Sequence, residues 1–420
     1  MTALRDKLAL YGPGLLYAGA AVGVSHLVQS TRAGAEFGFQ LLWVVLVINV
    51  IKYPIFEIGP RYAAATGTTL LDGYRKIGKW AVYTYMLLSI STMFIIMGAI
   101  SLVTAGLFVQ FIGIEMDARI VAVLLLSLSV LLLGFGRYST LDRFMKVIIL
   151  LLTASTLFAV GLAIAEPSIR LEEFETTFDF SNSLNVFFLV ALIGWMPAPI
   201  DISIWHSVWS ISKMKEQGGL INLKNSLNDF KLGYWGTTIL AAGFLSLGAL
   251  VLYGTGNALA EGSIPFSAQL IGMYTNNIGQ WAFPFIALAA FTTMFSTLLT
   301  CLDAFPRTLR KSTKLISAAF SSRSLHQNLY WIWIVITAFG TSVILLFFSS
   351  SMLSLVDLAT TISFVVAPIL AILNWKAMND PDIPENLKQP KYLQKFHLIS
   401  IGLLTAFSLW FLYTKLSLYL

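Results

Sequence analysis

A single cysteine, Cys301, stands in a chain of 420 residues, so neither a disulfide framework nor a cysteine metal cluster can be built from it. Charge is scarce as well: Asp, Glu, Lys and Arg make up 11% of the residues, against about 25% in a soluble domain. No HExxH motif, phosphate-binding loop or nucleophile–base pair is visible, and no soluble signalling domain. Those absences argue against a membrane-embedded enzyme or sensor, and no cofactor is expected. No cleavable signal peptide is evident either, because Met1–Tyr11 is short and polar and leads straight into an apolar run.

What fills the chain instead is hydrophobicity, 57% of residues with a mean hydropathy of +0.78. The apolar runs repeat along the length, which predicts an all-α integral membrane protein. About eleven spans are expected, near 12–36, 40–64, 82–112, 119–135, 144–165, 184–210, 233–254, 280–304, 329–349, 353–375 and 397–418. Residues 1–420 are read as one transmembrane domain with two repeats, 12–165 and 184–375, and an additional helix at 397–418. Segments 211–232 and 376–396 read as polar connections.

Basic residues sort by loop. Arg5 and Lys7 precede span 1; Arg61, Arg75, Lys76 and Lys79 follow span 2; Arg137, Arg143 and Lys146 lie between spans 4 and 5. Lys213, Lys215, Lys224 and Lys231 follow span 6; Arg307, Arg310, Lys311, Lys314 and Arg323 follow span 8; Lys376, Lys388, Lys391 and Lys395 follow span 10. The alternate loops hold only Arg119 and Arg170, and the loop after span 5 is acidic, with Glu166, Glu172, Glu173, Glu175 and Asp179. Basic loops stay inside, so the expected topology is a cell-membrane protein with a cytoplasmic N-terminus and an external C-terminus. The net charge of +6 is thereby topology rather than nucleic-acid binding. Five spans per repeat make the second repeat inverted relative to the first.

Two spans are interrupted. Gly23-Val24-Ser25-His26 breaks the first apolar run at mid-depth, with Gln29, Ser30 and Arg32 on the following turns. Gly194-Trp195-Met196-Pro197-Ala198-Pro199-Ile200-Asp201 breaks the sixth. Interrupted helices in corresponding positions of two halves point to a transporter's substrate site. The expected substrate-binding residues are Gly23, Val24, Ser25, His26 and Gln29 with Met196, Pro197, Ala198, Pro199 and Asp201.

The chemistry of the pair can be weighed. A divalent cation at mid-bilayer needs oxygen ligands and preferably negative charge, which Gly23, Val24 and Ser25 do not supply. His26 and Asp201 alone make a thin site for one. A broken helix presents free N–H groups and a positive dipole end to the cavity. Ser25 serves as cap and donor, His26 donates from either ring nitrogen, and Arg32 adds positive charge about two turns outward. The residues by themselves indicate a small anion or polar solute, without separating bicarbonate from nitrite, formate or chloride. A packing kink would leave the same pattern of Gly and Ser.

Gly12-Pro13-Gly14, Ala33-Gly34-Ala35 and Leu41-Leu42-Trp43 match the first-span pattern of the NRAMP metal transporters without a gap, and Ala65-Thr66-Gly67 and His206-Ser207 also fit. The chain resembles that family over its whole length, which implies a LeuT-like fold with an inverted 5+5 repeat and helices 1 and 6 broken. The family's metal ligands are not kept. Gly23 and His26 stand where its Asp and Asn are, and span 6 aligns either through Met196-Pro197 or through Pro199 and Asp201. The chain is similar to a divergent branch that has lost those ligands and is associated with bicarbonate uptake. The resemblance thus implies a carrier of bicarbonate or a similar small anion, acting as a monomer in lipid.

An anion entering a negative-inside cell needs a driving cation. Span 8 carries Thr292, Thr293, Ser296, Thr297 and Thr300. LeuT-type carriers hold sodium between such hydroxyls and carbonyls of the span 1 break, which implies a site from Ala20, Gly23, Ala289, Thr292, Thr293, Ser296 and Thr297. These hydroxyls could equally bond to their own backbone. Proton coupling through His26, Asp201 or His206 is the alternative, and Asp357 in span 10 is a further coupling candidate because acids inside membranes are functional suspects. Lys52 and Glu57 read as a structural ion pair, Asp303 and Arg307 as a surface pair, and Trp195 and Trp205 as packing residues. The competing function is a magnesium or manganese carrier that uses Asp201.

Overall fold

Lipid offers no partner to a peptide group, and the chain answers by coiling: all regular elements among the described residues are helical. The computed structural model describes residues 12–135, 138–165, 177–219, 221–256, 259–317, 323–347 and 351–416, without the side chains of 138–150, 323–327 and 416. Arg5, Lys7, Arg137, Glu166, Arg170, Glu172, Glu173 and Glu175 lie outside the described residues, as do the side chains of Arg143, Lys146 and Arg323.

Span 1 comprises α1 (Pro13–Ala21), a π-helical turn (Ser25–Ser30) and α2 (Thr31–Phe37). Span 2 is α3 (Leu42–Thr66), followed by the short α4 (Leu70–Ile77). Spans 3 to 5 are α5 (Lys79–Ile112), α6 (Ala118–Gly134) and α7 (Tyr138–Ala165). Span 6 is divided into α8 (Ser183–Trp195) and α9 (Asp201–Gln217). Span 7 is α10 (Leu223–Val251), and α11 (Ser263–Ile278) follows it. Spans 8 to 11 are α12 (Phe283–Ile316), α13 (Arg323–Phe347), α14 (Met352–Met378) and α15 (Lys391–Leu416).

Two expectations are corrected. Residues 211–232 are not one polar connection, because α9 runs to Gln217 and α10 begins at Leu223. The helix α11 was not expected at all. It is amphipathic, and Phe266, Leu270, Ile271 and Tyr274 bury one face. Its start lies so close to span 3 that a Cβ on Gly106 would stand 2.3 Å from the Ser263 carbonyl oxygen.

Glycines decide which spans touch backbone to backbone. A Cβ on Gly34 would meet the Leu245 carbonyl oxygen at 1.9 Å, and one on Gly248 the Thr31 oxygen at 2.3 Å, so α2 lies flush on α10. A Cβ on Gly14 would meet the Asp229 oxygen at 2.1 Å, which seats α1 on the same helix. Asp229 also accepts from the Gly12 and Gly14 N–H groups at 3.3 and 2.7 Å, a carboxylate at a helix N-terminus. Span 6 is held differently. Gly194 packs α8 against Thr360 of α14, and Gly59 of α3 packs against Ser203 of α9. One contiguous hydrophobic core runs from Tyr17 to Phe411.

Candidate functional site

The two breaks face each other near the middle of the bundle. After α1 the chain unwinds at Val22 and Gly23, and the Gly23 carbonyl accepts from the N–H groups of His26 and Leu27 at 3.1 and 2.9 Å. In span 6 the helix stops at Trp195, and Met196 to Ile200 cross to α9 with a cis bond between Met196 and Pro197. The Ser25 hydroxyl bridges the breaks, 3.0 Å from the Ala21 carbonyl oxygen and 3.5 Å from that of Pro197.

Between them lies a chamber of about 20 Å³, lined by Ala20, Val24, Ser25, Trp195, Trp205 and Thr297, with Cys301, Ile96 and Ile100 among the remaining contacts. Of the expected substrate residues, Val24, Ser25 and Pro199 line it. Gly23 stands next to it, where an added Cβ would meet Thr297 at 2.9 Å. Met196, Pro197 and Ala198 form the crossing, and the side chains of Met196 and Ala198 are fully buried.

His26 does not point into the chamber. Its Nε2 is 3.1 Å from the Thr237 carbonyl oxygen and its Nδ1 is 2.8 Å from the Ser25 hydroxyl. A carbonyl only accepts, so Nε2 carries a proton and His26 spends it on α10. The neutral ring then leaves Nδ1 to accept from Ser25. This corrects the expectation of a histidine donating to cargo.

Gln29 and Arg32 are likewise spoken for. Gln29 Nε2 donates to Asp357 Oδ1 at 2.9 Å, while Arg32 donates to Asp357 at 2.8 and 3.1 Å and to Glu36 at 2.7 Å. Arg32 also lies over the Phe188 ring, 4.7 Å from its centroid. Asp357 therefore finds its partners 325 and 328 residues away, and it ties α2 and the π turn to α14. The positive charge expected to reach the site from Arg32 is neutralised by two carboxylates.

Asp201, in the first turn of α9, is buried and faces span 3, where it accepts a long 3.5 Å bond from the Ser89 hydroxyl. His206 sits among the rings of Tyr17 and Phe230; its Nδ1 lies 3.2 Å from the Ser210 hydroxyl, and its Nε2 is buried without a partner. No group of three or more His, Cys, Asp or Glu able to hold a metal ion occurs among the described residues.

On span 8 the hydroxyls divide. Thr292 and Thr293 bond to their own backbone at Leu288 and Ala289. The Thr297 hydroxyl instead reaches across to the carbonyl oxygens of Gly19 and Val22 at 2.9 and 3.1 Å, with its own Thr293 oxygen at 3.2 Å. The approaching carbonyls are each one residue before the expected Ala20 and Gly23. Ser296 is buried beside this cluster.

Lys52 is the residue sequence reasoning misplaced most. Glu57 pairs with Arg61 at 2.6 Å, not with Lys52. The Lys52 ammonium, fully buried, donates to the Ile193 and Gly194 carbonyl oxygens at 2.7 and 3.0 Å and so caps the C-terminal end of α8. Asp303 is also corrected: it is buried, takes a 2.5 Å bond from Arg307 and accepts a further one from the Tyr330 hydroxyl. Trp205 is more than packing, because it floors the chamber and stacks edge-on against Phe305 with centroids 4.8 Å apart.

Comparison with known proteins adds four findings. The family model described as natural resistance-associated macrophage protein-like matches residues 14–414. An uncharacterized protein of Pasteurella multocida is 36% identical over 372 residues, covering 88% of this chain and 85% of that one. A divalent metal cation transporter of Pediococcus pentosaceus is 23% identical over 303 residues, 68% of this chain and 66% of its own. Among solved structures, the manganese transporter of Eremococcus coleocola superposes with a TM-score of 0.66 at 16% identity, over 97% of this chain and 86% of that one. The fold is accordingly LeuT-like.

Proposed function

Because this chain belongs to the Nramp family of multi-pass membrane transporters, and is no enzyme, we propose that it is a secondary carrier of a small anion, with bicarbonate as the leading cargo. The observation that carries this reading is the lining of the chamber between the breaks: apolar walls, the hydroxyls of Ser25 and Thr297, and no acidic side chain. A divalent ion brought to mid-membrane would exchange its waters for no carboxylate there. An anion meets the N–H end of a helix and the Ser25 hydroxyl, whose proton would turn from His26 Nδ1 to reach it. The resemblance to the branch lacking the metal motif supports bicarbonate over other small anions.

In this reading the basic end of the bundle is cytoplasmic. The tie of Arg32 and Gln29 to Asp357 closes the outer side, and Trp205 on Phe305 closes the inner side. Sodium is the coupling ion. Thr297 and the carbonyls of Gly19, Val22 and Thr293 make an all-oxygen cluster of the kind a hard cation accepts, and its lack of a carboxylate suits a monovalent one.

The test is uptake of radiolabelled bicarbonate into liposomes with and without a sodium gradient. Ser25→Ala should lower it by about tenfold, the effect of losing roughly one hydrogen bond to a charged group, and Thr297→Ala should remove the sodium dependence. Flux indifferent to sodium would discard that coupling, and no flux of any small anion would discard the anionic cargo.

A second reading is supported by the divalent metal cation transporter of Pediococcus pentosaceus that the chain resembles and by the weakly bonded carboxylate of Asp201. It is a magnesium or manganese carrier with proton coupling. Calorimetric binding of either ion, abolished by Asp201→Ala, would replace the first reading with this one.

A further inference from the structure

A second cavity, of about 320 Å³, opens at the basic end of the bundle between the start of α4, the end of α9 and the end of α12. Five of its lining side chains are basic (Lys215, Arg307, Arg310, Lys311 and Lys314) and one, Asp72, is acidic. Asp72 is already committed. One of its oxygens accepts from the N–H and hydroxyl of Thr69 and the other meets Lys311 at 2.7 Å. Arg307 is paired with Asp303. Arg310 lies over the Tyr330 ring, and its Nε is buried with no acceptor.

Topology alone asks for basic residues near this end, but it does not ask for them to converge on one hollow. Nor does it account for a buried donor left without an acceptor, a state proteins avoid. The hollow also continues the chamber. Along α9, Ile202 and Trp205 line the chamber and Val208, Ser212 and Lys215 line the hollow, each step three or four residues on. Along α12, Thr297 and Cys301 face the chamber, and Arg307, Lys311 and Lys314 face the hollow. Trp205 against Phe305 stands between the two.

We propose that this hollow is an anion-binding vestibule, where the small oxyanion released past Trp205 is held before it leaves on the inner side. The inference deepens the reading of the chain as an anion carrier and rests on it for the identity of the ligand. Low-dielectric walls lined by one sign of charge concentrate counter-ions of the other sign, and this one would repel a divalent cation.

Two measurements test it. In the first, Ser212→Cys on a Cys301→Ala background is labelled from the inner side of proteoliposomes with thiol reagents of equal size and opposite charge. The anionic reagent should react about tenfold faster than the cationic one, and millimolar bicarbonate should slow it. Equal rates, or a faster cationic reagent, overturn the proposal. In the second, Lys215→Gln combined with Lys314→Gln should raise the inner half-saturation concentration for bicarbonate exchange several-fold and leave the outer one unchanged. An unchanged inner value overturns the vestibule as a station on the cargo's route. The two readings fail separately: a labelling bias with bicarbonate protection but no bicarbonate flux would refute the carrier and leave the binding site standing.

Discussion

The two breaks are built from opposite materials. In span 1 the interruption includes a π turn whose His26 and Gln29 are bonded to α10 and α14, and both flanking helices, α1 and α2, lie on the same partner, α10. In span 6 the interruption is a proline-rich crossing between two partners: Gly194 packs α8 on α14 and Gly59 packs α3 on α9, while Lys52 of α3 also bonds α8 and Asn374 of α14 also bonds Ser203 of α9. The first break is therefore clamped to one surface, and the second is shared between two. Both α3 and α14 reach across the second break, so each half of span 6 shares its neighbours with the other. Lys52 sits at that break, reaching from α3 to the last carbonyls of α8.

Four substitutions break or sharpen this contrast. Gly34→Leu should do most damage, because a Cβ there lies 1.9 Å from the Leu245 oxygen. Prying α2 from α10 should cost about 3 kcal/mol or more, read as a collapse of the thermal transition in detergent. His26→Ala should cost less, about 1–3 kcal/mol, since it removes the ring's bond to the Thr237 carbonyl and its contact with the Ser25 hydroxyl. Lys52→Met should leave the melting temperature level or slightly raised, because an apolar side chain replaces a buried ion. Its transport should still fall by roughly tenfold if the ammonium positions the end of α8, an expectation that rests on the rarity of unneeded charge in membranes. If stability and transport fall together, Lys52 is a plain strut. Arg119→Ala should change neither quantity, for Arg119 is exposed and paired with the exposed Asp117.

The helical frame was legible because lipid imposes a continuous apolar run on each span, and both interruptions were legible because Gly, Ser and Pro mark them. The helix α11 was not, since only one of its faces is apolar and its length falls below a span's. Side-chain destinations were harder still. Asp357 joins residues of the opposite repeat, and nothing local announces Arg32 or Gln29 as its partners. Lys52 bonds to backbone carbonyls, which leave no trace in residue identity. His26 carried the right chemistry for a cargo ligand, but the turn's π geometry aims it at α10 instead. Thr297 could be narrowed from the five hydroxyls of span 8 only once the approach of Gly19 and Val22 was known.

A chamber of about 20 Å³ has room for roughly one water-sized group. A cargo seated in a chamber this tight would keep little of its hydration shell. Doubly charged oxyanions cling to water far more tightly than singly charged ones, because solvation energy grows with the square of the charge. Such a passage would thus sort its traffic by the ease of drying an ion, and phosphate or sulfate would be turned away by thirst before any protein group had touched them.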